Sequence, residues 1–329
     1  MTTLRVAVIG AGYLGRFHAQ KYAAAVDAEL VAVCDIVENA GRAVAAECET
    51  QFFSDYRELV GLVDAVGIAA STLAHFEISR FFLEQGVHVF VEKPMTQTSA
   101  EAAELTQLAL DRGLKLQVGH VERFNPALLA AREGVDNPSF IECHRLAPFN
   151  KRGADVNVVL DLMIHDLDVI LSLVDAKPTE VSAVGIAVLT DSVDVANARI
   201  GFDNGAIANV TASRVSTKAE RKFRVWQDQQ YVSIDFGNGK IQKVTSRSEW
   251  QEGESPLQQQ SWSLEKGDAL RAEIEAFLAA IRNDTECLVS GRDGQAALEL
   301  AELIMADIAQ RRRDRPTGGG VSRSAKATN

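Results

Sequence analysis

The stretch Val6-Ala7-Val8-Ile9-Gly10-Ala11-Gly12-Tyr13-Leu14-Gly15 leaves the chain few folds to choose from. A short apolar run ends in Gly-x-Gly-x-x-Gly and opens into a helical pattern, the sequence form of a dinucleotide-binding strand–turn–helix. Gly10 permits the tight turn, Gly12 lets the main chain approach a pyrophosphate, and Gly15 lets helix and strand pack closely. The helix N-terminus then turns unpaired N–H groups and a positive dipole end toward the phosphates.

Glycine-rich turns also arise for structural reasons alone, so the surroundings matter. A second apolar strand, Glu29-Leu30-Val31-Ala32-Val33-Cys34, ends in Asp35, twenty residues after Gly15. An acidic side chain there accepts hydrogen bonds from the adenosine ribose and repels a 2′-phosphate. Ile36 supplies no cation to offset it. The expected cofactor is NAD rather than NADP; the competing reading is that Asp35 only caps the next turn.

A chain of 329 residues has room for two domains. Its formal net charge of −11 argues against a nucleic-acid surface. The basic run Arg311-Arg312-Arg313 follows a helical pattern and reads as a solvated helix end. No apolar stretch is long enough to span a bilayer, and no signal-peptide layout opens the chain. Cys34, Cys48, Cys143 and Cys287 are widely spaced, and the histidines are scattered, so neither disulfides nor a metal site is expected. A reduced, cytoplasmic protein follows, with no membrane or nucleic-acid partner.

To about residue 120 strands alternate with helices, as in a doubly wound parallel sheet. Strands are expected at Ala65-Val66-Gly67-Ile68-Ala69, Val87-His88-Val89-Phe90-Val91 and Leu114-Lys115-Leu116-Gln117-Val118. Thr98 and Glu101 are spaced as a capping box, and Asn125 before Pro126 reads as an N-cap. From Phe140 onward strands alternate apolar and polar, with hairpin signals at Asp203-Asn204-Gly205 and Gly237-Asn238-Gly239. Two amphipathic helices follow, one striped by Leu270, Ile274, Phe277, Leu278 and Ile281, the other at 297–308. The expected architecture is α/β: a Rossmann domain at 1–120, then an α+β domain at 121–316 with a large open, mainly antiparallel sheet. Residues 317–329 read as a disordered tail. The late helices are free to pack back toward the first domain.

Two further segments carry chemistry. In Leu160-Asp161-Leu162-Met163-Ile164-His165-Asp166-Leu167-Asp168, a helical step of about 100° puts Asp161, His165 and Asp168 within roughly 60° of arc, with Asp166 pointing elsewhere. A buried polar network would explain them; so would a neutral His165 serving as general base, oriented by a carboxylate. Beside a nicotinamide the second reading gains, because alcohol oxidation needs a base. Val91-Glu92-Lys93-Pro94 closes a parallel strand at the carboxyl edge where such sheets bind ligands, so Lys93 can hold a substrate hydroxyl.

Together, Gly10 to Gly15, Glu92-Lys93-Pro94 and Asp161 with His165 four residues on resemble the glucose–fructose oxidoreductase/inositol dehydrogenase/rhizopine catabolism (Gfo/Idh/MocA) superfamily, from about Leu4 to Ile308. The resemblance implies a catalytic group of Lys93, Asp161 and His165. It also implies cofactor contacts from Gly10, Gly12, Tyr13, Leu14, Gly15, Asp35, Ser71, Thr72, His75, Glu92 and Lys93. Where the family has Pro-(Thr/Asn)-x-x-His, this chain has Ser71-Thr72-Leu73-Ala74-His75. The segments 119–126, 144–149 and 159–166 are similar to a nucleotide-sugar branch whose members oxidise C3 of UDP-N-acetylglucosamine and supply an aminotransferase in lipid A synthesis.

A diphosphate-bearing substrate needs cations. Arg123, Arg145, Lys151 and Arg152 cluster near the catalytic segment; each alone reads as a surface charge, but together they suit a diphosphate. With Asp161 and His165 they form the expected substrate site. The expectation is an NAD-dependent dehydrogenase of a nucleotide-linked sugar, assembled as a homodimer or homotetramer. The rivals are a dehydrogenase of a free polyol or sugar, a glycoside-cleaving variant using transient oxidation, and a non-catalytic NAD- or sugar-sensing regulator.

Overall fold

A computed structural model describes residues 3–150, 156–265 and 267–314. The tail expected at 317–329, and with it Lys151 and Arg152, lies outside the described residues.

The first sheet has six parallel strands: β1 (Leu4–Ile9), β2 (Ala28–Cys34), β3 (Gln51–Phe53), β4 (Ala65–Ile68), β5 (His88–Glu92) and β6 (Leu116–Gly119). Their order, β3-β2-β1-β4-β5-β6, reverses direction between β1 and β4, which opens a crevice at the carboxyl edge. Helices α1 (Tyr13–Ala24), α2 (Glu38–Glu47), α3 (Thr72–Glu84) and α4 (Ser99–Asp111) cover the faces. The expected capping box forms on α4: Thr98 accepts from the Glu101 N–H while Glu101 accepts from the Thr98 N–H. Asn125 caps α5 (Pro126–Arg132), with proline at the start.

Beyond α5, a second sheet has eight strands in the order β14-β13-β12-β11-β7-β10-β9-β8. These are β7 (Phe140–Leu146), β8 (Pro178–Ile186), β9 (Val195–Phe202), β10 (Ile207–Ser213), β11 (Glu220–Gln227), β12 (Gln230–Asp235), β13 (Lys240–Ser246) and β14 (Leu257–Ser263). All pairs are antiparallel except β7 with β10. Both expected hairpin turns form, with Gly205 at φ +86° and Gly239 at φ +65°, where a Cβ would be strained.

One face of this sheet packs on α5, α6 (Ile164–Val174) and the end of α8 (Gly291–Asp314) around Val210, Phe223, Ile170 and Ile304. Helix α7 (Ala269–Asn283) returns to the first sheet, where Ile274, Phe277 and Leu278 pack with Val6, Val8 and Phe90. The beginning of α8 also returns there: a Cβ on Gly294 would stand 2.6 Å from Val118. Glu302 of α8 accepts from Ser99 N at 2.8 Å, placing a carboxylate at the N-terminus of α4. The second amphipathic pattern, expected at 297–308, is thus part of a longer helix that touches both sheets.

Candidate active site

Most of the residues expected to form the site follow β1, β2, β4, β5 and β6, along the groove at the carboxyl edge of the first sheet. After β1, Gly10 sits at φ +96°, a Cβ there would meet Ala69 at 2.6 Å, and a Cβ on Gly15 would meet Gly10 O at 1.7 Å. The turn therefore tolerates no side chain at either position. Gly12 differs: nothing lies within 4 Å of where its Cβ would be, so the main chain is open at the helix start. Among the described residues no side chain caps α1 or α3, whose N-cap is Ser71. Tyr13, Leu14, Ile36, Val37 and Leu73 are exposed apolar residues around this groove. An open glycine, two helix N-termini without side-chain caps and an apolar rim fit a dinucleotide.

Asp35 is tied to the glycine turn. Its Oδ2 accepts from Ala11 N at 2.5 Å and its Oδ1 from Val37 N at 2.7 Å. The carboxylate thus caps the next turn, as the competing sequence reading had it, and also fixes the loop that meets the pyrophosphate. Each oxygen keeps a further lone pair for a ribose hydroxyl. His75 is buried, its Nδ1 2.9 Å from Pro94 O and its Nε2 3.1 Å from Ala70 O. It joins the β4 and β5 loops rather than facing the groove. Glu92 is buried against His18, with Oε1 2.8 Å from Nε2.

Lys93 follows β5 and precedes a cis bond to Pro94. Its Nζ donates to the main-chain oxygen of Asp161 at 2.7 Å and stands 3.7 Å from Asp161 Oδ1. Burial pushes the ammonium pKa down, against the opposing pull of Asp161 and Glu92. Asp161 lies in a π-helical turn, Val159–Met163, from which α6 continues; such turns occur often at functional sites. The half-buried His165 opens α6, its Nδ1 enclosed without a hydrogen-bond partner, leaving Nε2 as the nitrogen available to the groove. Burial, then the charges of Lys93 and Arg145, hold its pKa well below the usual value, so the ring is neutral. His120, buried and pushed down to about 3 by burial and Lys93, stands edge-on to it at 6.5 Å.

Two expectations need correction. Among the described residues no carboxylate bonds His165: Asp168 is buried and pairs instead with Arg123 at 3.2 Å. His165 and Asp168 keep the regular helical spacing within α6, but the buried Arg123 guanidinium draws the Asp168 carboxylate to itself. The second concerns Arg123 and Arg145, expected to meet a diphosphate. Arg123 is buried, donating to Asp168 and to Leu288 O at 3.2 Å. Arg145 is buried with Nε and Nη2 on Asp166 at 2.9 and 2.8 Å and Nη1 on Glu122 at 2.9 Å. Both guanidinium groups are occupied inside the protein, because α6 supplies carboxylates that must be paired when buried. Sequence reasoning passed over His120, Glu122 and Arg221. Of these, Arg221 left a signal, a cation flanked by strand-like alternation at 220–227.

A dinucleotide groove that ends on a lysine, an aspartate and a neutral histidine defines an oxidoreductase. The chain belongs to the Gfo/Idh/MocA family: residues 4–120 match its "Oxidoreductase family, NAD-binding Rossmann fold" and residues 136–233 its C-terminal domain. It is 41% identical to the UDP-N-acetylglucosamine 3-dehydrogenase of Acidithiobacillus ferrooxidans, over 94% of this chain and 98% of that one. A solved structure of the Acidithiobacillus ferrooxidans UDP-N-acetylglucosamine 3-dehydrogenase superposes with a TM-score of 0.88 at 38% identity, covering 94% of this chain and 99% of that one. Inositol 2-dehydrogenase of Rhizobium meliloti is 27% identical over 94% of this chain and 98% of its own length. The scyllo-inositol dehydrogenase of Lactobacillus casei, solved with NAD(H) and scyllo-inositol, shares the fold at a TM-score of 0.80 and 20% identity, over 94% and 98% of the two chains.

Proposed function

We propose that this protein oxidises the C3 hydroxyl of UDP-N-acetylglucosamine to a ketone, with NAD in preference to NADP. The observation that carries this reading is the 41% full-length identity to an enzyme of that activity. The site supplies the chemistry it requires. Bound NAD provides the hydride acceptor. His165, held neutral, accepts the hydroxyl proton at Nε2. Lys93 donates a hydrogen bond to the same oxygen and stabilises the charge that grows there as the proton leaves. Asp161, 3.7 Å from the ammonium, keeps that lysine aimed and offers a carboxylate to a neighbouring sugar hydroxyl. Asp35, with the exposed Ile36 beside it, disfavours a 2′-phosphate.

The ketone is a substrate for an aminotransferase, which would draw the oxidation forward in an amino-sugar pathway such as that of lipid A. Copies of the chain associate, as a dimer or tetramer, through the sheet face that no helix covers among the described residues. The decisive experiment follows absorbance at 340 nm with NAD and UDP-N-acetylglucosamine, alone and with an aminotransferase and glutamate, alongside mass spectrometry of the sugar nucleotide. NADH formation with loss of two hydrogens, or a 3-amino product in the coupled reaction, supports the assignment. Reaction only with inositol or a free sugar would retire it in favour of the polyol reading.

A further inference from the structure

On the helix-covered face of the second sheet, Arg221 of β11 stands directly opposite Arg145 of β7. Their neighbours two residues along, Phe223 and Cys143, are fully buried on that face. Arg145 is saturated by Asp166 and Glu122. Arg221 is different: its side chain is 56% exposed, and its one ion pair among the described residues is 3.8 Å to Glu122 Oε1, an oxygen Arg145 already holds at 2.9 Å. It makes no side-chain hydrogen bond among the described residues. A cation facing a like charge, with its N–H donors unengaged, is poorly accounted for by folding alone.

Arg221 stands at a cleft of about 610 Å³, a size ordinary for small-molecule sites. Pro126, Phe236 and Leu264 give the cleft an apolar wall, and Lys222, the turn at Asn238 and the carboxylates of Glu220, Asp235 and Glu265 also line it. Its cation lies toward the reacting end: Glu122, which it faces at 3.8 Å, is two residues from His120, whose ring stands 6.5 Å from that of His165.

We propose that this cleft is the nucleotide subsite, with Arg221 taking the diphosphate and the apolar wall beyond it taking the nucleoside. This rests on the nucleotide-sugar reading above and assigns the half of the substrate that does not react. A guanidinium fork matches two phosphate oxygens at once. Free sugars and inositol carry nothing for it, so the cleft is the element that discriminates against them.

The test is calorimetric binding of UDP to the full-length protein, with NADH present, alongside turnover of UDP-N-acetylglucosamine. Arg221→Ala weakens UDP binding by about 10- to 100-fold, lowers kcat/KM by the same factor and leaves NAD affinity within about twofold. Arg221→Lys falls between, keeping charge without the fork. Ala219→Trp, on an exposed residue lining the cleft, obstructs it and weakens UDP as well. Wild-type turnover of UDP-N-acetylglucosamine with unchanged UDP affinity in Arg221→Ala would overturn the subsite and leave the activity standing. A loss of kcat at unchanged UDP affinity would also overturn it, making Arg221 an electrostatic neighbour of the base. A wild-type protein that neither binds UDP nor oxidises its sugar, yet reduces NAD with inositol, would remove the activity and the subsite together.

Discussion

Replacing Arg145 by methionine separates a structural arginine from a substrate ligand. The change keeps most of the side-chain volume and removes three charge-assisted hydrogen bonds, at 2.9, 2.8 and 2.9 Å. Asp166 and Glu122, 2% and 5% exposed, are left without that cation. Removing one partner of a buried pair costs about 3–5 kcal/mol, which at ~2 °C per kcal/mol for a large chain lowers Tm by roughly 6–10 °C. The loss also depends on pH. Burial already raises the Asp166 pKa despite Arg145, and without the arginine it rises further. A carboxyl with a raised folded pKa favours the folded state least above that value, so stability falls as pH climbs from about 4 through it. The Tm deficit of Arg145→Met is therefore smaller at pH 5 than at pH 8, read by circular dichroism. A variant that melts like wild type at both pH values while its KM for the sugar nucleotide rises would refute this reasoning and return Arg145 to the substrate.

Three other outcomes are expected. Lys93→Ala and His165→Ala each reduce turnover by about 10²–10⁴-fold with NAD affinity near normal; stopped-flow NADH formation checks this, and unchanged turnover removes them from the site. Asp35→Ala loses the tether to Ala11 N, raising KM for NAD and narrowing the preference over NADP, as steady-state kinetics with both cofactors would report. Burial works to raise the Asp194 carboxyl, but the N–H groups of Thr190, Leu189 and Val188 and the Thr190 hydroxyl outweigh it and hold the pKa at about 2. That lowered pKa is worth about 2 kcal/mol above pH ~4 and is lost as pH falls toward 2. Urea midpoints of Asp194→Asn and wild type should accordingly diverge at pH 7 and converge in acid.

What the sequence disclosed were features set by local chemistry. The glycine turn, the Thr98–Glu101 box, the Asn125 cap and the Asn204-Gly205 hairpin need only neighbours a few residues away, and each formed where its residues stand. Lys93 and Asp161 are 68 positions apart, yet both were legible because each closes a recognisable segment. Features fixed by distant packing were not. Strand β3, three residues long, has too short a pattern to declare itself. The parallel β7–β10 pair depends on topology rather than alternation. The π turn at Val159–Met163 hid behind an assumed helical step, and the pairing of Asp168 with Arg123, 45 positions away, left no local signal. Arg145 and Arg221 look alike as strand arginines; only the carboxylates of α6 and Glu122 distinguish the occupied one from its open neighbour.

Helix α8 has a mechanical consequence. At 1.5 Å per residue its 24 residues form a rod of about 36 Å. Leu298 anchors it in the core beneath the dinucleotide sheet, and Leu300 to Ile308 anchor it in that of the other. A rod embedded in both cores couples cofactor wall to substrate wall, so it helps set their spacing during folding. Hydride transfer tolerates little error in distance. Holding that distance in a helix remote from the substrate lets strand ends and loops diverge toward new sugars without retuning the reaction, and the two sheets should melt in a single transition.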